Sequence, residues 1–433
     1  MLKITMAINS FEDRLIAGFI LGLLVAFLIF RTRWPHIPVW AFMAFTSFLT
    51  VATGLTPIDR LGEAINVEVI LFLVGMFSIV GVAESSGLLD ALSLLVVSRF
   101  RSVRVALVGV SLVFGFLAAV AVNDTIAIMG PPMVLFLSRV LNLDPKPLLI
   151  LLAFSITIGS ATTPIGNPQN MLIAVESGLK APFISFLYFL LIPTIINLVL
   201  VALIVEKLYN IPDKCVDVLV IPQERIRNPR DALISGVALA STILVLVVND
   251  ILAVLSLPHV EHRGFIPFII AAAMFIVASK PRELVGRVDW GTIVFFIAMF
   301  ITMDGVWRSG LLLDLLSLAL PSPAHGLPGF TLITFLSLTL SQLLSNVPYV
   351  KLFINYMEHI GYTGGDEKEW VTLAMSSTIA GNLTLLGAAS NIIILERLES
   401  QYGRTISFTE FLRVGSIVTI VNVIVYAPFI ILL

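Results

Sequence analysis

Charge and cysteine are scarce in this chain of 433 residues. Only 12% of its residues are charged and 58% are hydrophobic, whereas a soluble domain carries about 25% charged residues. A water-soluble fold of this length cannot bury so much apolar surface, so the composition indicates an integral membrane protein. The single cysteine, Cys215, excludes an internal disulfide and a cysteine-based metal site.

Several motifs that carry chemistry are also absent. The chain has no Walker A motif, no HExxH and no GxSxG, so nothing indicates ATP hydrolysis, a zinc protease or a serine hydrolase. We expect no enzymatic activity, no ATPase in this chain and no nucleic-acid partner. The five histidines fall in loops or at helix ends, and we expect no metal site from them.

The chain does contain an internal repeat, in which one pattern of residues occurs twice. Each half has a glycine-rich apolar helix, a polar break centred on asparagine, and a second break of Gly, Asn and Thr. At an offset of 223 and then 221, the matched residues include Phe72 with Phe295, Asn123 with Asn346, Gly166 with Gly387, and Asn170 with Asn391. Repeats with interrupted hydrophobic segments are typical of secondary transporters, and the interruptions mark the binding site.

Eight uninterrupted apolar stretches are long enough to span a membrane. They lie at about 14–30, 36–53, 66–84, 183–206, 231–256, 264–279, 290–308 and 408–432. Two more stretches, 147–176 and 371–397, are interrupted by polar and small residues and predict broken helices. The regions 103–142 and 328–360 are paired apolar stretches around a polar centre and predict re-entrant hairpins.

This layout gives an all-α integral membrane protein with five spans and one hairpin in each half. Residues 1–206 form the first repeat, 207–230 a linker, and 231–433 the second repeat. Because five is odd, the second repeat is predicted to be inverted. Of the 26 Lys and Arg residues, 18 fall on one predicted side. The positive-inside rule makes that side, with the linker, cytoplasmic. We therefore expect a multi-pass plasma-membrane protein with both termini outside.

Two short segments follow the matched helices, one in each half. Residues 87–98 (GLLDALSLLVVS) and 311–320 (LLLDLLSLAL) are apolar with a few polar positions. They predict amphipathic helices at the membrane interface. Extra turns of the preceding helix fit the same pattern equally well.

The predicted hairpin tips carry polar side chains at membrane depth. The first tip contains Asn123, Asp124 and Thr125, and the second contains Ser345 and Asn346 with no acid after them. An ionisable group at that depth is costly and is a functional candidate. The Asp124 carboxylate can bind Na⁺, carry a proton or cap the half-helix that follows it. We predict possible Na⁺ contacts at Asn123, Asp124 and Asn346.

The two broken helices supply further candidates. Prolines and glycines interrupt GSATTPIGNPQN at 159–170 and glycines interrupt AGNLTLLGAASN at 380–391. Freed carbonyl groups can coordinate a cation, and half-helix N-termini can face an anion. A purely structural kink is the alternative. The predicted ligand-binding residues are Thr162, Thr163, Gly166, Asn167 and Asn170 in the first break, and Asn382, Thr384, Gly387 and Asn391 in the second.

These motifs resemble a known group. NDT followed by TPIGNPQN, and SNVP followed by AGNLTLLGAASN, resemble the ion transporter superfamily across nearly the whole chain. They are most similar to its arsenite permease and NhaD-type sodium/proton antiporter branch, and more distantly to the divalent anion/sodium symporters. Those symporters carry Ser-Asn-Thr at both hairpins, and this chain does not, which departs from a dicarboxylate-type site. The resemblance implies a homodimer in which a transport domain, holding both hairpins and both broken helices, moves as an elevator against a scaffold.

The predicted function is secondary active transport of a small inorganic ion or oxyanion, coupled to Na⁺ or H⁺. No Lys or Arg is predicted near either break, so a strongly anionic substrate would depend on helix N-termini and co-bound cations. Three candidates remain: a weakly charged oxyacid such as arsenite, a carboxylate or other anion carried with Na⁺, or Na⁺ exchanged for H⁺. No cofactor is expected apart from bound Na⁺. The paired breaks argue against a channel or an intramembrane enzyme.

Overall fold

The computed structural model is helical throughout the residues that it describes, apart from turns and short connections. It describes residues 11–30, 37–97, 102–215, 226–388, 390–395 and 406–433. Within these residues the only bridge of β type joins Ser102 to Cys215. The first ten residues of the predicted first repeat, the centre of the linker (216–225) and the end of the second predicted broken helix (396–397) lie outside the described residues.

The first half contains ten helices. They are α1 (Phe11–Phe30), α2 (Val39–Ala52), α3 (Leu61–Ala64), α4 (Val67–Ser85), α5 (Leu88–Val97), α6 (Val103–Ala121), α7 (Asn123–Val140), α8 (Pro145–Ser160), α9 (Pro168–Glu176) and α10 (Pro182–Leu208). Polar caps fix several of the starts: the side chains of Asn66, Ser102 and Asn167 accept hydrogen bonds from backbone N–H groups of α4, α6 and α9.

The second half repeats this order. Its helices are α11 (Pro229–Val254), α12 (Phe265–Val277), α13 (Pro281–Val285), α14 (Trp290–Arg308), α15 (Leu311–Ser317), α16 (Gly326–Leu344), α17 (Asn346–Ile360), α18 (Glu367–Ile379), a helical stretch at 390–395 that we label α19, and α20 (Phe408–Leu432). Two 3₁₀ turns, Ala380–Asn382 and Leu385–Gly387, separate α18 from α19. The predicted hairpins and breaks therefore coincide with the observed interruptions.

Helix starts recur at a fixed spacing. The first residues of α4, α5, α6 and α7 lie 223 positions before those of α14, α15, α16 and α17. Helix contacts recur as well, because α6 packs on α8 as α16 packs on α18. Each of those interfaces contains a serine pair at 2.8 Å, Ser155 with Ser111 and Ser376 with Ser337. The opposite orientation of the two halves in a membrane stays a prediction.

Seven of the described helices are long and apolar enough to cross a membrane: α4, α6, α10, α11, α14, α16 and α20. Two of these, α6 and α16, are the first arms of the predicted hairpins. By contrast α2, α8 and α12 have 14, 16 and 13 residues. At about 1.5 Å per residue they fall short of the roughly 30 Å hydrocarbon layer. The predicted count of ten spans therefore stays a prediction.

The two predicted interfacial segments form helices of their own. Gly87 (φ 84°) and Gly310 (φ 73°) adopt the left-handed conformation, which ends the preceding helix. New helices, α5 and α15, then begin at Leu88 and Leu311. The segments are therefore separate helices rather than extra turns, and their position at an interface stays a prediction.

Helix α8 forms the centre of the first half. All of its residues except Lys146 are buried. A side chain at Gly159 would collide with the backbone of Gly115 in α6. Small residues allow helix backbones to approach this closely in membrane proteins. The close contact places the end of α8, where the first break begins, directly against the first hairpin.

Candidate transport site

Each hairpin turns through one residue in an unusual backbone conformation. Val122 has φ 63° and ψ 129°, and Ser345 has φ 68° and ψ 158°. Positive φ is strained for a residue other than glycine, and such strain is common at functional sites. The turn lets α7 begin at Asn123 and α17 begin at Asn346. Both hairpins thus present an asparagine at the N-terminus of a half-helix, where the partial charge is positive.

The first tip is bonded to the first break. The backbone N–H of Asn123 donates to the carbonyl of Gly166 at 2.9 Å. The Thr163 hydroxyl donates to the carbonyl of Ala119 in α6 and accepts from the N–H of Gly166 at 3.1 Å. A side chain at position 166 would collide with the carbonyl of Ser160. Glycine is therefore required here for the break to fold back on itself and support the tip.

Two asparagine amides hold the first break closed. The Asn167 Oδ1 accepts from the N–H of Asn170 at 2.8 Å, and its Nδ2 donates to the Thr378 hydroxyl at 3.0 Å. The Asn170 Nδ2 donates to the carbonyl of Ser160 at 3.1 Å, and its Oδ1 accepts from Thr378 at 3.1 Å. Thr378 belongs to α18, so these bonds also join the two halves.

The second break repeats only part of this network. The Asn391 Nδ2 donates to the carbonyls of Gly381 at 2.7 Å and Thr384 at 3.3 Å, as Asn170 does with Ser160 and Thr163. The Thr384 hydroxyl donates to Gln342 Oε1 at 2.7 Å, and Gln342 Nε2 donates to the carbonyl of Ala380 at 2.8 Å. A glutamine side chain therefore braces the second tip where a backbone carbonyl braces the first.

Several buried polar atoms at the tips and at the second break have no hydrogen-bond partner among the described residues. They are the Oδ1 atoms of Asn123, Asn346 and Asn391, both amide atoms of Asn382, and the Ser390 hydroxyl. A buried polar atom without a partner costs about 1–3 kcal/mol, so such atoms are candidates for ligand contact. Amide carbonyl oxygens are ligands that hard cations accept.

A cavity of about 400 Å³ lies between the two tips. Both breaks line it as well, through Gln169 and Ala388. Its polar wall consists of Asn123, Asp124, Gln169, Asp289, Thr292, Gln342, Ser345 and Asn346. Its apolar wall includes Trp40, Phe295, Phe296 and Leu343. The cavity is therefore shared by both halves and is partly apolar and partly polar, as small-molecule sites usually are.

Five of the predicted site residues line this cavity: Asn123, Asp124, Ser345, Asn346 and Gly387. The other nine lie outside its lining, namely Thr125, Thr162, Thr163, Gly166, Asn167, Asn170, Asn382, Thr384 and Asn391. Most of these support the breaks, as the bonds of Thr163 and Asn170 show. Four further polar residues line the cavity that were not predicted from the sequence: Gln169, Gln342, Asp289 and Thr292. A lone glutamine in the apolar helix α16 was the available signal for Gln342.

The cavity wall carries negative charge. Among the described residues that line it, Asp124 and Asp289 are the charged ones, and none is Lys, Arg or His. The Asp289 carboxylate caps α14, accepting from the N–H of Thr292 at 3.0 Å and from its hydroxyl at 2.6 Å. Asp124 lies in the first turn of α7, where the helix dipole stabilises a carboxylate. Each half of the chain therefore contributes one acidic side chain to the described lining of the cavity.

Two other acids within the apolar helices, Asp250 and Asp304, are engaged in contacts with neighbouring groups. Asp250 accepts from the N–H of Phe183 at 2.7 Å and from Arg263 Nε at 3.3 Å, which anchors the start of α10. Asp304 pairs with Arg308 at 2.7 Å. These carboxylates lie outside the lining of the shared cavity, whereas Asp124 and Asp289 lie within it.

The fold and the site together are those of a membrane transporter. They combine apolar helices, two hairpins bonded to two broken helices, and a cavity between them. The chain belongs to the CitMHS family, whose model is described as a citrate transporter and matches residues 24–380. This confirms the resemblance to the ion transporter superfamily. The family and its relatives are transporters, not enzymes.

Three transporters align with this chain over most of their length. An uncharacterized transporter of Mycobacterium bovis is 28% identical over 83% of this chain and 84% of its own length. The silicon efflux transporter LSI3 of Oryza sativa subsp. japonica is 26% identical over 78% of this chain and 81% of its own length. A Dictyostelium discoideum transporter named arsB is 22% identical over 89% of this chain and 86% of its own length.

A solved structure shares the fold. The YdaH transporter of Alcanivorax borkumensis superimposes with a TM-score of 0.56 over 87% of this chain and 89% of that one, at 13% identity. At this identity the similarity concerns the fold alone. It agrees with the assignment of the chain to the membrane transporters.

Proposed function

We propose that this protein is a secondary active transporter of a small uncharged oxyacid, such as arsenous acid, driven by Na⁺ or H⁺. The observation that carries the proposal is the shared cavity. Its described polar wall offers amides, hydroxyls and two carboxylates, with no cationic side chain. Hydroxyl groups of a neutral oxyacid can donate to and accept from such groups without a counter-charge. The names of the rice and Dictyostelium relatives are consistent with oxyacids as cargo.

The same wall disfavours a free tricarboxylate, although the family description names citrate. A citrate carboxylate placed beside the acidic side chains of this wall would meet like charge. Citrate would need bound cations to enter a cavity with two acids and no described base. An uncharged solute meets no such barrier, which favours the oxyacid.

In this proposal the coupling cation binds at the tips of the two hairpins. Asn123 Oδ1 and Asn346 Oδ1 are buried without partners in the described protein, and Asp124 lies beside Asn123 on the cavity wall. Two amide oxygens and a carboxylate suit Na⁺, and the carboxylate alone can carry a proton. These same groups favour Na⁺/H⁺ exchange as the second candidate function, in which the cation itself is the cargo.

Transport would proceed by an elevator movement in a plasma-membrane homodimer, with both termini outside. The hydrogen bonds between each hairpin and its own break support movement of these elements as one body. The two halves would be inverted repeats, and the repeated helix starts support that relation. Access to the cavity would then alternate between the two sides of the membrane.

Uptake into proteoliposomes tests this function. Arsenous acid, silicic acid and citrate would each be offered under an imposed Na⁺ gradient, an imposed pH gradient, or neither. We expect gradient-driven movement of an oxyacid and at least tenfold slower movement of citrate. Citrate moving as fast as the oxyacids would contradict the substrate assignment. Exchange of Na⁺ for H⁺ with all solutes omitted would instead establish the second candidate.

A further inference from the structure

A histidine and two acids lie close together at the N-terminal ends of α16 and α18. None of the three lines the cavity. We call His325, Asp366 and Glu369 the acid–histidine cluster. Each residue offers one ligand atom, and within the described residues these are the three that lie within 4.8 Å of one another. His325 Nδ1 lies 3.2 Å from Glu369 Oε1 and 3.7 Å from Asp366 Oδ1.

We propose that the acid–histidine cluster is a binding site for Zn²⁺. Ligand atoms on a tetrahedral Zn²⁺ at about 2.0–2.1 Å lie roughly 3.3 Å from each other. The two distances from His325, 3.2 Å and 3.7 Å, bracket that separation. One imidazole and two carboxylates are ligands that Zn²⁺ accepts, and water can complete the coordination.

Neighbouring groups hold the three ligands in place, as outer-shell contacts do around metals. The second carboxylate oxygen of Asp366, Oδ2, accepts from the N–H of Thr363 at 2.7 Å and from its hydroxyl at 3.0 Å. This leaves Oδ1 directed at His325. The Tyr362 hydroxyl is bonded to both backbone groups of Ala324, at 2.8 Å and 2.7 Å, which fixes the residue before His325. Burial raises the pKa of Tyr362 to about 12, so this hydroxyl stays protonated.

The exposure of the cluster suits an ion that enters from water. The Glu369 side chain is 8% exposed, Asp366 is 24% exposed and His325 is 57% exposed. The buried carboxylate forms the floor, and the imidazole lies at the opening. At Gly329, one turn into α16, a side chain would collide with the carbonyl of Ala324. Glycine there lets the first turn of α16 approach Glu369.

The charge balance also favours a cation. Two helices begin here, at Gly326 and Glu367, and each N-terminus contributes about half a positive charge. The two carboxylates contribute two negative charges, so the neutral-imidazole cluster keeps a net charge of roughly −1. A bound Zn²⁺ would change this net charge from roughly −1 to roughly +1, and it would tie α16, the first arm of the second hairpin, to α18.

The experiment uses the purified full chain in detergent, first treated with a chelator and then dialysed. Thermal unfolding would be followed with ZnCl₂ or with MgCl₂ as the probe. A ligand that binds only the folded state raises the unfolding midpoint. We expect Zn²⁺ at tens of micromolar to raise it by several degrees and Mg²⁺ to leave it unchanged, with one Zn²⁺ bound per chain by calorimetric titration.

Three variants decide where Zn²⁺ binds. His325→Ala and Glu369→Gln should each abolish the shift, whereas His259→Ala, at an exposed histidine outside the cluster, should keep it. Since His325 is largely exposed, its variant remains informative if Glu369→Gln does not fold. The proposal is overturned if wild type shows no shift, or if the shift survives His325→Ala. Neither result bears on the cavity or on the proposed transport function.

Discussion

The two broken helices lie at matched positions in the repeat but satisfy their polar groups differently. In the first, the amides of Asn167 and Asn170 are bonded within the protein, and Thr378 links them to the other half. In the second, both amide atoms of Asn382 and one of Asn391 are buried without partners among the described residues. The first break is therefore closed by its own sequence, whereas the second retains groups that a ligand can satisfy.

Two sequence differences accompany this contrast. At the offset of 221, Asn167 is replaced by Ala388, which removes an amide and leaves a methyl group on the cavity wall. At the offset of 223, Asp124 is replaced by Val347, so charge is confined to the first tip. The two halves thus have matched helix positions, and they differ in a few side chains near the cavity. The first tip carries the Asp124 carboxylate, and the second break carries the unpaired amide atoms of Asn382 and Asn391.

The largest expected effect is all-or-none and concerns the orientation of the two halves. Cys215 lies in the predicted cytoplasmic linker and is exposed, and Thr363 lies in a loop predicted to be extracellular. A membrane-impermeant maleimide added to intact cells should modify Thr363→Cys in a Cys215→Ser background. Native Cys215 should react only after permeabilisation, and Cys215→Ser alone should not react. Labelling of both positions from the same side of the membrane would contradict the predicted opposite orientation of the two repeats.

The second prediction concerns charge at the first tip. Asp124→Asn should reduce gradient-driven uptake by at least a hundredfold while the protein stays folded, because the coupling cation loses its carboxylate. Asp289→Asn is the matched control: it removes the other cavity charge but keeps an α14 cap, so uptake should fall no more than about threefold.

Moving the acid across the repeat sharpens this test. Asp124→Asn combined with Val347→Asp places the carboxylate on the second tip. We expect partial recovery of uptake if the two tips are equivalent toward the cation, measured by the same proteoliposome assay. Unchanged Na⁺ and pH dependence in Asp124→Asn would show instead that Asp124 only caps α7.

The third prediction compares matched amides by thermal unfolding. Asn170→Ala removes bonds to three backbone carbonyls and to Thr378, and should lower the free energy of unfolding by about 3 kcal/mol or more, since each group left unpaired costs about 1–3 kcal/mol. Asn391→Ala removes two bonds and should lower it by about half as much. Equal losses would show that the two breaks are equally closed.

The smallest expected effect concerns strain at the tips. Ser345→Gly relieves a positive φ and should raise the free energy of unfolding by about 1 kcal/mol. Val122→Gly relieves the same strain but loses a side chain that is only 3% exposed, worth about 1.5–3 kcal/mol, so its net effect should be near zero or negative. Destabilisation by Ser345→Gly would show that its side chain, rather than its backbone, matters at the tip.

Most of the helices could be predicted from the sequence. Long apolar runs interrupted by Gly, Pro and Asn predicted breaks at 159–170 and 380–391 and hairpin tips around Asn123 and Asn346, because helix propensity and hydropathy are local. Helices α2 and α12 begin and end one to three residues inside the apolar stretches 36–53 and 264–279. Whether residues 87–98 continued the preceding helix also stayed open until the left-handed Gly87 was seen.

The candidate site was predicted in part. Repeat matching predicted the tip asparagines because they lie at matched positions in both halves. It missed Gln342, whose repeat mate is Ala119, and Asp289, which is an ordinary cap by sequence. Asn170 was expected to bind an ion, and the structure places it outside the cavity lining, with its amide bonded to three carbonyls of the break. Which amide faces the cavity depends on how the chain folds back at the break.

The sequence by itself determined that this chain is a helical membrane protein with two matched halves, each carrying a hairpin and a broken helix. Hydropathy, helix breakers and the repeat offset are properties of short segments, so they can be read without coordinates. Only the tertiary structure decided which polar groups share the cavity, which ones close the first break, and that His325 meets Asp366 and Glu369. Those outcomes depend on contacts between residues tens to hundreds of positions apart, and no local pattern encodes them.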